Sequence, residues 1–201
     1  MMGFMARSGT DVSIVYQLKI TLTGIRPPIW RRVLVPGRIR LCALHDVFQT
    51  AMGWSNSHLH LFEKGKREWS VPEWDEFGEL NLLDEKDTRL DELLLKPRDS
   101  LSYVYDWGDD WRHRVILEKI GPVLTAPIQP SCIAGKRKCP PEDVGGVGGY
   151  QEFLDAIFDP AHEDHSRFLT WAGGYFQAEE FDVKAVNAVL AGSRWPEMYL
   201  R

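Results

Sequence analysis

The stretch Tyr103-Val104-Tyr105-Asp106-Trp107-Gly108-Asp109-Asp110-Trp111-Arg112-His113-Arg114-Val115 decides how this chain is read. Two alternating runs flank a polar, Gly-containing tip, which is the pattern of a β-hairpin. With Gly108-Asp109-Asp110 as a three-residue loop, Trp107 lies opposite Trp111, Tyr105 opposite His113, Tyr103 opposite Val115 and Leu101 opposite Leu117. Side chains alternate across a strand, so these residues share one face, and that face is aromatic enough to belong against a core. Ser102, Val104, Asp106, Arg112, Arg114 and Glu118 form the other, more polar face. Asp106 is then expected to make a cross-strand ion pair with Arg112, worth under about 1 kcal/mol at an exposed site. His113 is the titratable group on the aromatic face. Its ordinary role there is a core histidine bonded to Tyr105 or to backbone, and its chemical role would be that of a base or ligand.

Working outward, Val12 to Ile25 places Ile14, Tyr16, Leu18, Ile20 and Leu22 on one side of a long half-buried strand. Gly24 and Pro27-Pro28 break it, Ile29 to Val35 resumes as a second strand, and Pro36-Gly37 turns the chain. Leu41 to Trp54 has helical spacing, with Leu41, Leu44, His45, Phe48, Ala51 and Met52 on one stripe and Gly53 as its stop. His45 on that stripe reads as a packed core histidine. His58 to Phe62 reads as a strand with His58 and His60 on one face, and Arg67 to Val71 as its partner. Pro72 to Asp87 is acidic and irregular, anchored by Trp74 and Phe77, and Thr88 is placed to cap a short helix through Leu95. Gly121 to Gly149 is rich in Pro and Gly and predicts no regular backbone. The last third is helical: Gly149 to Phe158, a helix opened by Asp159-Pro160, and Asp182 to Leu190. The fold class expected is α+β, a single domain with a mainly antiparallel sheet covered by helices and a helical C-terminal third. A flexible leader over 1–11, one domain over 12–192 and a tail over 193–201 complete the organisation.

At 201 residues and 44% hydrophobic, the chain is long and apolar enough to bury one full core. Its net charge of −5 is uneven: residues 1–40 hold seven basic groups and one acid, so they carry +6 and the other 161 carry −11. The chain therefore lacks the overall basic footprint of a nucleic-acid binder. The basic N-terminal quarter keeps a local nucleic-acid patch open but does not favour it. Three cysteines, Cys42, Cys132 and Cys139, are too few for a disulfide framework, and no apolar run is long enough for a membrane helix. A soluble cytoplasmic protein with reduced thiols is expected.

Histidines and acids concentrate in four places: the 58–60 strand, the hairpin tip, the 139–143 loop and the 162–165 helix. His58 and His60 share a face. Cys139 opens Cys139-Pro140-Pro141-Glu142-Asp143-Val144-Gly145-Gly146, and His162 and His165 stand at i and i+3. Imidazole, thiolate and carboxylate are ligands for a divalent metal such as zinc. His58, His60, Cys139, His162 and His165 are therefore the candidate ligands. Asp110, His113, Glu142 and Asp143 are the candidate catalytic groups, with Asp110 or Glu142 placed to act as base on metal-bound water. The glycine pairs after Asp143 would let backbone amides approach a ligand. No P-loop, nucleophile elbow, His-Glu-x-x-His or nucleotide fingerprint is present. Two readings follow: a binding module with a His/acid-lined pocket, and a metal-dependent hydrolase.

Several segments together resemble the plasmid pRiA4b ORF-3-like family. They are Pro27-Pro28-Ile29-Trp30-Arg31-Arg32; Leu44-His45 with Gln49 to Trp54; His58 to Phe62; Tyr105 to Trp111 with His113; Cys139 to Gly146 with Gly149-Tyr150; Asp159-Pro160 with His162 and His165; and Phe181-Asp182 with Ala185-Val186-Asn187. The resemblance covers roughly residues 12–190 and departs chiefly in the acidic segment 72–87. It implies an α+β single domain of plasmid or mobile-element type. It assigns no role to any residue. Some members are described as resolvase-like passenger proteins of insertion elements, which implies a DNA-processing accessory role, but no serine-recombinase catalytic pattern accompanies it here.

Overall fold

The computed structural model of the chain describes residues 13–75, 81–124 and 128–193. The 1–11 leader, Phe77 and all but the first residue of the 193–201 tail lie outside the described residues.

Alternating apolar residues make β1 (Ser13–Leu22) and β2 (Trp30–Pro36), which pair antiparallel with Leu18 opposite Val33. The helical stripe of α1 (Leu41–Met52) ends where Gly53 takes a left-handed conformation, φ 95°. β3 (His60–Lys64) and β4 (Arg67–Ser70) form a hairpin, β5 (Leu83–Asp84) adds a short parallel edge, and α2 (Leu90–Leu93) follows. The opening stretch supplies β6 (Ser100–Tyr105) and the start of β7 (Trp111–Leu124), and β8 (Ser131–Lys136) closes the sheet. Its order is β5-β4-β3-β6-β7-β1-β2-β8, antiparallel except at β4–β5, with β6 and β7 near its centre. Three helices, α3 (Gly146–Phe158), α4 (His165–Trp171) and α5 (Val183–Gly192), follow β8 among the described residues. Among the described residues no helix is long and apolar enough to cross a membrane.

α1 lies against the aromatic face of the sheet. Phe48 packs edge-on to Tyr103 at 5.3 Å and against Phe62 at 6.3 Å, and all three are fully buried. A buried ring of this kind contributes roughly 1.5–3 kcal/mol by leaving water, so Phe48→Ala would open a void at the centre of the core.

The hairpin departs from the expected register. Tyr105 pairs with Trp111 and Tyr103 with His113, so the loop is five residues, Asp106 to Asp110. The slip is an even number of residues, so the buried aromatic face survives it: Tyr103, Tyr105, Trp111, His113 and Val115 are all buried. Trp107 instead joins the loop and is 40% exposed. Val104, not Asp106, faces Arg112, and Arg112 pairs with Asp110 (3.0 Å) and Glu63 (3.2 Å).

Three other elements differ from expectation. β8 occupies part of the stretch read as irregular. It is stabilised from outside by Asn187 of α5, whose amide accepts from Cys132 N and donates to Cys132 O, both at 2.8 Å. Those two bonds close an otherwise open sheet edge. The expected helix at Asp159-Pro160 begins only at His165; the Asp159 carboxylate accepts from Ala161 N (2.9 Å) within the turn that precedes it. Thr88 does not cap α2, whose N-terminal neighbour is Arg89; its hydroxyl lies 3.5 Å from Asp84 O.

Candidate functional site

The hairpin tip and the loop after β8 meet through backbone-scale contacts. Asp106 sits at φ 59°, a conformation that Asp tolerates better than most residues. Its Oδ1 accepts from Gly108 N (2.9 Å) and Asp109 N (3.2 Å), and its own N–H donates to Leu59 O (2.8 Å). This fixes Asp106 beside the entrance to β3, with Oδ2 facing His58 Nε2 at 3.7 Å. Asp109 accepts from Gly145 N at 3.1 Å, and a Cβ on Gly146 would lie 2.6 Å from Asp109 O. The glycine pair therefore allows close approach, but what approaches is the chain's own hairpin.

Glu142 holds the same loop from the other side. It accepts from the Tyr105 hydroxyl (2.5 Å), from Ser55 N (3.2 Å) and from the Ser55 hydroxyl. Burial alone would raise its pKa, but these donors, with His58 nearby, outweigh burial and hold the carboxyl below the usual range. Trp54 Nε1 also donates to Pro140 O at 3.0 Å. Asp143, one residue on, is 73% exposed at its side chain and reaches His58 Nε2 at 3.2 Å.

His58, Asp106 and Asp143 thus each present one ligand atom within 4.8 Å of the others. His58 Nε2 is shielded from water and faces both carboxylates without a properly aligned hydrogen bond to either. Three N/O ligands with bonds of about 2.0–2.2 Å fit a divalent cation and leave coordination positions open.

Beside this cluster opens a cavity of about 670 Å³ lined by His45, His58, His60, Trp74, Glu85 and Trp107 among others. His60 Nε2 is 2.7 Å from Glu85 Oε2, with both side chains almost fully buried, while His60 Nδ1 has no partner among the described residues. His45 stacks on His60 with ring centroids 3.4 Å apart and planes 10° from parallel. His45 Nε2 lies 2.7 Å from Asn56 Oδ1 and Nδ1 lies 2.8 Å from the Tyr103 hydroxyl, which accepts from Gln49 Nε2 at 2.9 Å. The chain is satisfied by a neutral imidazole donating from Nε2 and accepting at Nδ1. Burial and then the neighbouring His60 push His45 down to about 3, in accord with that neutral form.

The remaining candidates lie elsewhere. His113 is buried, its Nδ1 3.1 Å from Tyr103 O and its Nε2 without a partner, and burial lowers it to about 4. Asp110 is tied to exposed Arg112. Cys139 is buried beside Arg31, its thiol pushed up to about 12 by burial despite that cation. His162 Nδ1 accepts from Asp164 N (3.1 Å), and His165 Nδ1 donates to Ala156 O (2.9 Å), both on the helical layer. In the basic N-terminal quarter, Arg31 is buried and bonded to the carbonyls of Ala51, Trp30 and Lys136. Arg32 pairs bidentately with Glu118. Neither guanidinium is free for a phosphate.

Sequence reasoning placed Asp106 on the surface and passed over Glu85, Asn56 and Asp46. Asp106 followed by Gly108 is an Asx-turn signal that could have shown its carboxylate folded back. Glu85 carried none, since an acid in an acidic irregular segment reads as solvated.

The fold and this site define a class: a single α+β domain, an eight-stranded mainly antiparallel sheet with a His/carboxylate cluster at the tip of its central hairpin. Within that class, the chain belongs to the plasmid pRiA4b ORF-3-like protein family, whose model it matches over residues 14–185. It is 41% identical over 180 residues to the uncharacterized protein y4hQ of Sinorhizobium fredii (strain NBRC 101917 / NGR234), spanning 88% of each chain. Its structure is similar to the crystal structure of the protein of unknown function MM3350 from Methanosarcina mazei Go1. The TM-score is 0.76 at 37% identity, covering 86% of this chain and 97% of that one.

Proposed function

We propose that this chain is a divalent-cation-binding module whose metal is held by His58, Asp106 and Asp143 at the rim of the cavity. The observation that carries the reading is the shielded His58 Nε2, aimed at two carboxylates without an aligned hydrogen bond to either. Two carboxylates and one imidazole suit zinc or manganese better than a thiolate-seeking ion. Glu142 acts here as a positioning residue: it anchors the loop that delivers Asp143, in the manner of an outer-shell partner. The competing arrangement, a protonated His58 bridging two acids, needs no metal.

Elemental analysis of protein purified without chelator separates the two. The metal reading expects near-stoichiometric metal, and a melting temperature that rises with added zinc or manganese in the wild type but not in a His58→Ala/Asp143→Asn variant. Protein free of metal, with a melting temperature indifferent to zinc, manganese and magnesium, would sink it.

A further inference from the structure

The cavity also has a chemical polarity of its own. Among the described residues it is lined by three carboxylates, Asp46, Glu85 and Asp106, and by no lysine or arginine. Two of the three are already answered: Glu85 by His60, and Asp106 by the backbone amides of Gly108 and Asp109. Asp46 has no hydrogen bond or ion pair to any described residue. It stands on α1, exposed to solvent, and lines the concave space. Burial, and then the nearby Glu85 carboxylate, raise its pKa, a penalty that a bound cation would relieve. Two indoles line the same space. Trp74 stands edge-on to His60 at 5.3 Å, and Trp107 is 40% exposed although large and apolar. His60 also lines the cavity, almost fully buried, with Nδ1 unpartnered among the described residues. A phosphate or carboxylate ligand would meet no lysine or arginine among the described residues here. A cation would meet an unanswered carboxylate and two aromatic faces, and Trp is the ring that attracts cations most strongly.

We infer that the cavity binds a small organic cation, with its ammonium or guanidinium group on Asp46 and its apolar body against Trp74 and Trp107. The cation rests on Asp46, Trp74 and Trp107, none of them a metal ligand, so this binding and the metal binding can fail separately.

Isothermal titration of the full chain with benzylamine, and with its uncharged and anionic counterparts benzyl alcohol and benzoate, tests it. Benzylamine should bind and the other two should not. Asp46→Asn should weaken benzylamine by about tenfold or more, the scale of one charged hydrogen bond. Trp107→Leu, at an exposed loop position that folding tolerates, should weaken it about threefold to tenfold. An Asp143→Asn variant, changed outside the cavity lining, should keep benzylamine binding, and Asp46→Asn should keep zinc binding. Equal binding of benzyl alcohol, binding of benzoate, no binding of benzylamine, or an Asp46→Asn variant that melts like wild type yet binds benzylamine unchanged would each overturn the inference. Zinc binding without benzylamine binding would remove it and leave the metal reading standing.

Discussion

Acid should unfold this protein through two buried histidines. His45 is held at about 3 and His113 at about 4 in the folded chain, in both cases mainly by burial. An unfolded histidine titrates near 6.5. Below that pH the unfolded state takes up protons that the folded state refuses, so stability is complete above about pH 6.5 and falls as pH drops towards the folded values. At about pH 5 each unfolded imidazole is almost wholly protonated and each folded one almost wholly neutral. The difference is about 2 kcal/mol per site and about 4 kcal/mol for the pair. That is a large part of the 5–15 kcal/mol typical of a domain. Urea unfolding followed by tryptophan fluorescence at about pH 7.5 and about pH 5 reads it directly. With a slope of roughly 2 kcal/mol/M the midpoint should fall by about 2 M. A His45→Gln variant, which keeps a hydrogen-bonding side chain without the titration, should show about half that drop. A midpoint unchanged or higher at the lower pH, or a variant that loses as much as wild type, would refute the reasoning.

Three substitutions test how the loop that carries Asp143 is held. A Cβ on Gly149 would lie 2.0 Å from Val144 O, whereas one on Gly148 meets nothing within 4 Å. Gly149→Ala should therefore destabilise by about 2 kcal/mol or more as the helix start shifts, while Gly148→Ala should stabilise by up to about 1 kcal/mol; equal melting temperatures would contradict the packing described. Glu142→Gln keeps the shape but removes the charge that Ser55 and Tyr105 bond to. It should cost about 1–2 kcal/mol and weaken zinc about tenfold, read by melting and by metal titration, and unchanged zinc affinity would show that Glu142 does not position Asp143.

Periodicity alone recovered β1, β2, α1, β4 and the buried aromatic face of the central hairpin, because burial of one face imposes a period of two on strands and 3.6 on helices; Val104 and Asp106, read onto the polar face, are buried as well. The aromatic identity of Tyr103, Tyr105 and Trp111 made their burial legible even though the register was off, since an even slip leaves every side chain on its own face. The same local rules placed Asp182 at the head of α5, where its carboxylate accepts from Lys184 N and Ala185 N. They could not place β8, whose edge is closed by Asn187 from more than fifty residues away.

The candidate site divides in the same way. Residue types in the sequence marked His58 as a candidate ligand and Asp143 as a candidate catalytic group, because imidazole and carboxylate carry that chemistry wherever they sit. Only the tertiary structure joined them to Asp106, through a five-residue loop that folds its first carboxylate inward and a glycine-lined segment that docks on Asp109. It also sent Cys139 to the core, His162 and His165 to the helical layer, and Glu85 to His60. Chemical potential is a property of a side chain and can be read one residue at a time. Convergence depends on contacts between residues far apart in the chain, and no local pattern encodes those.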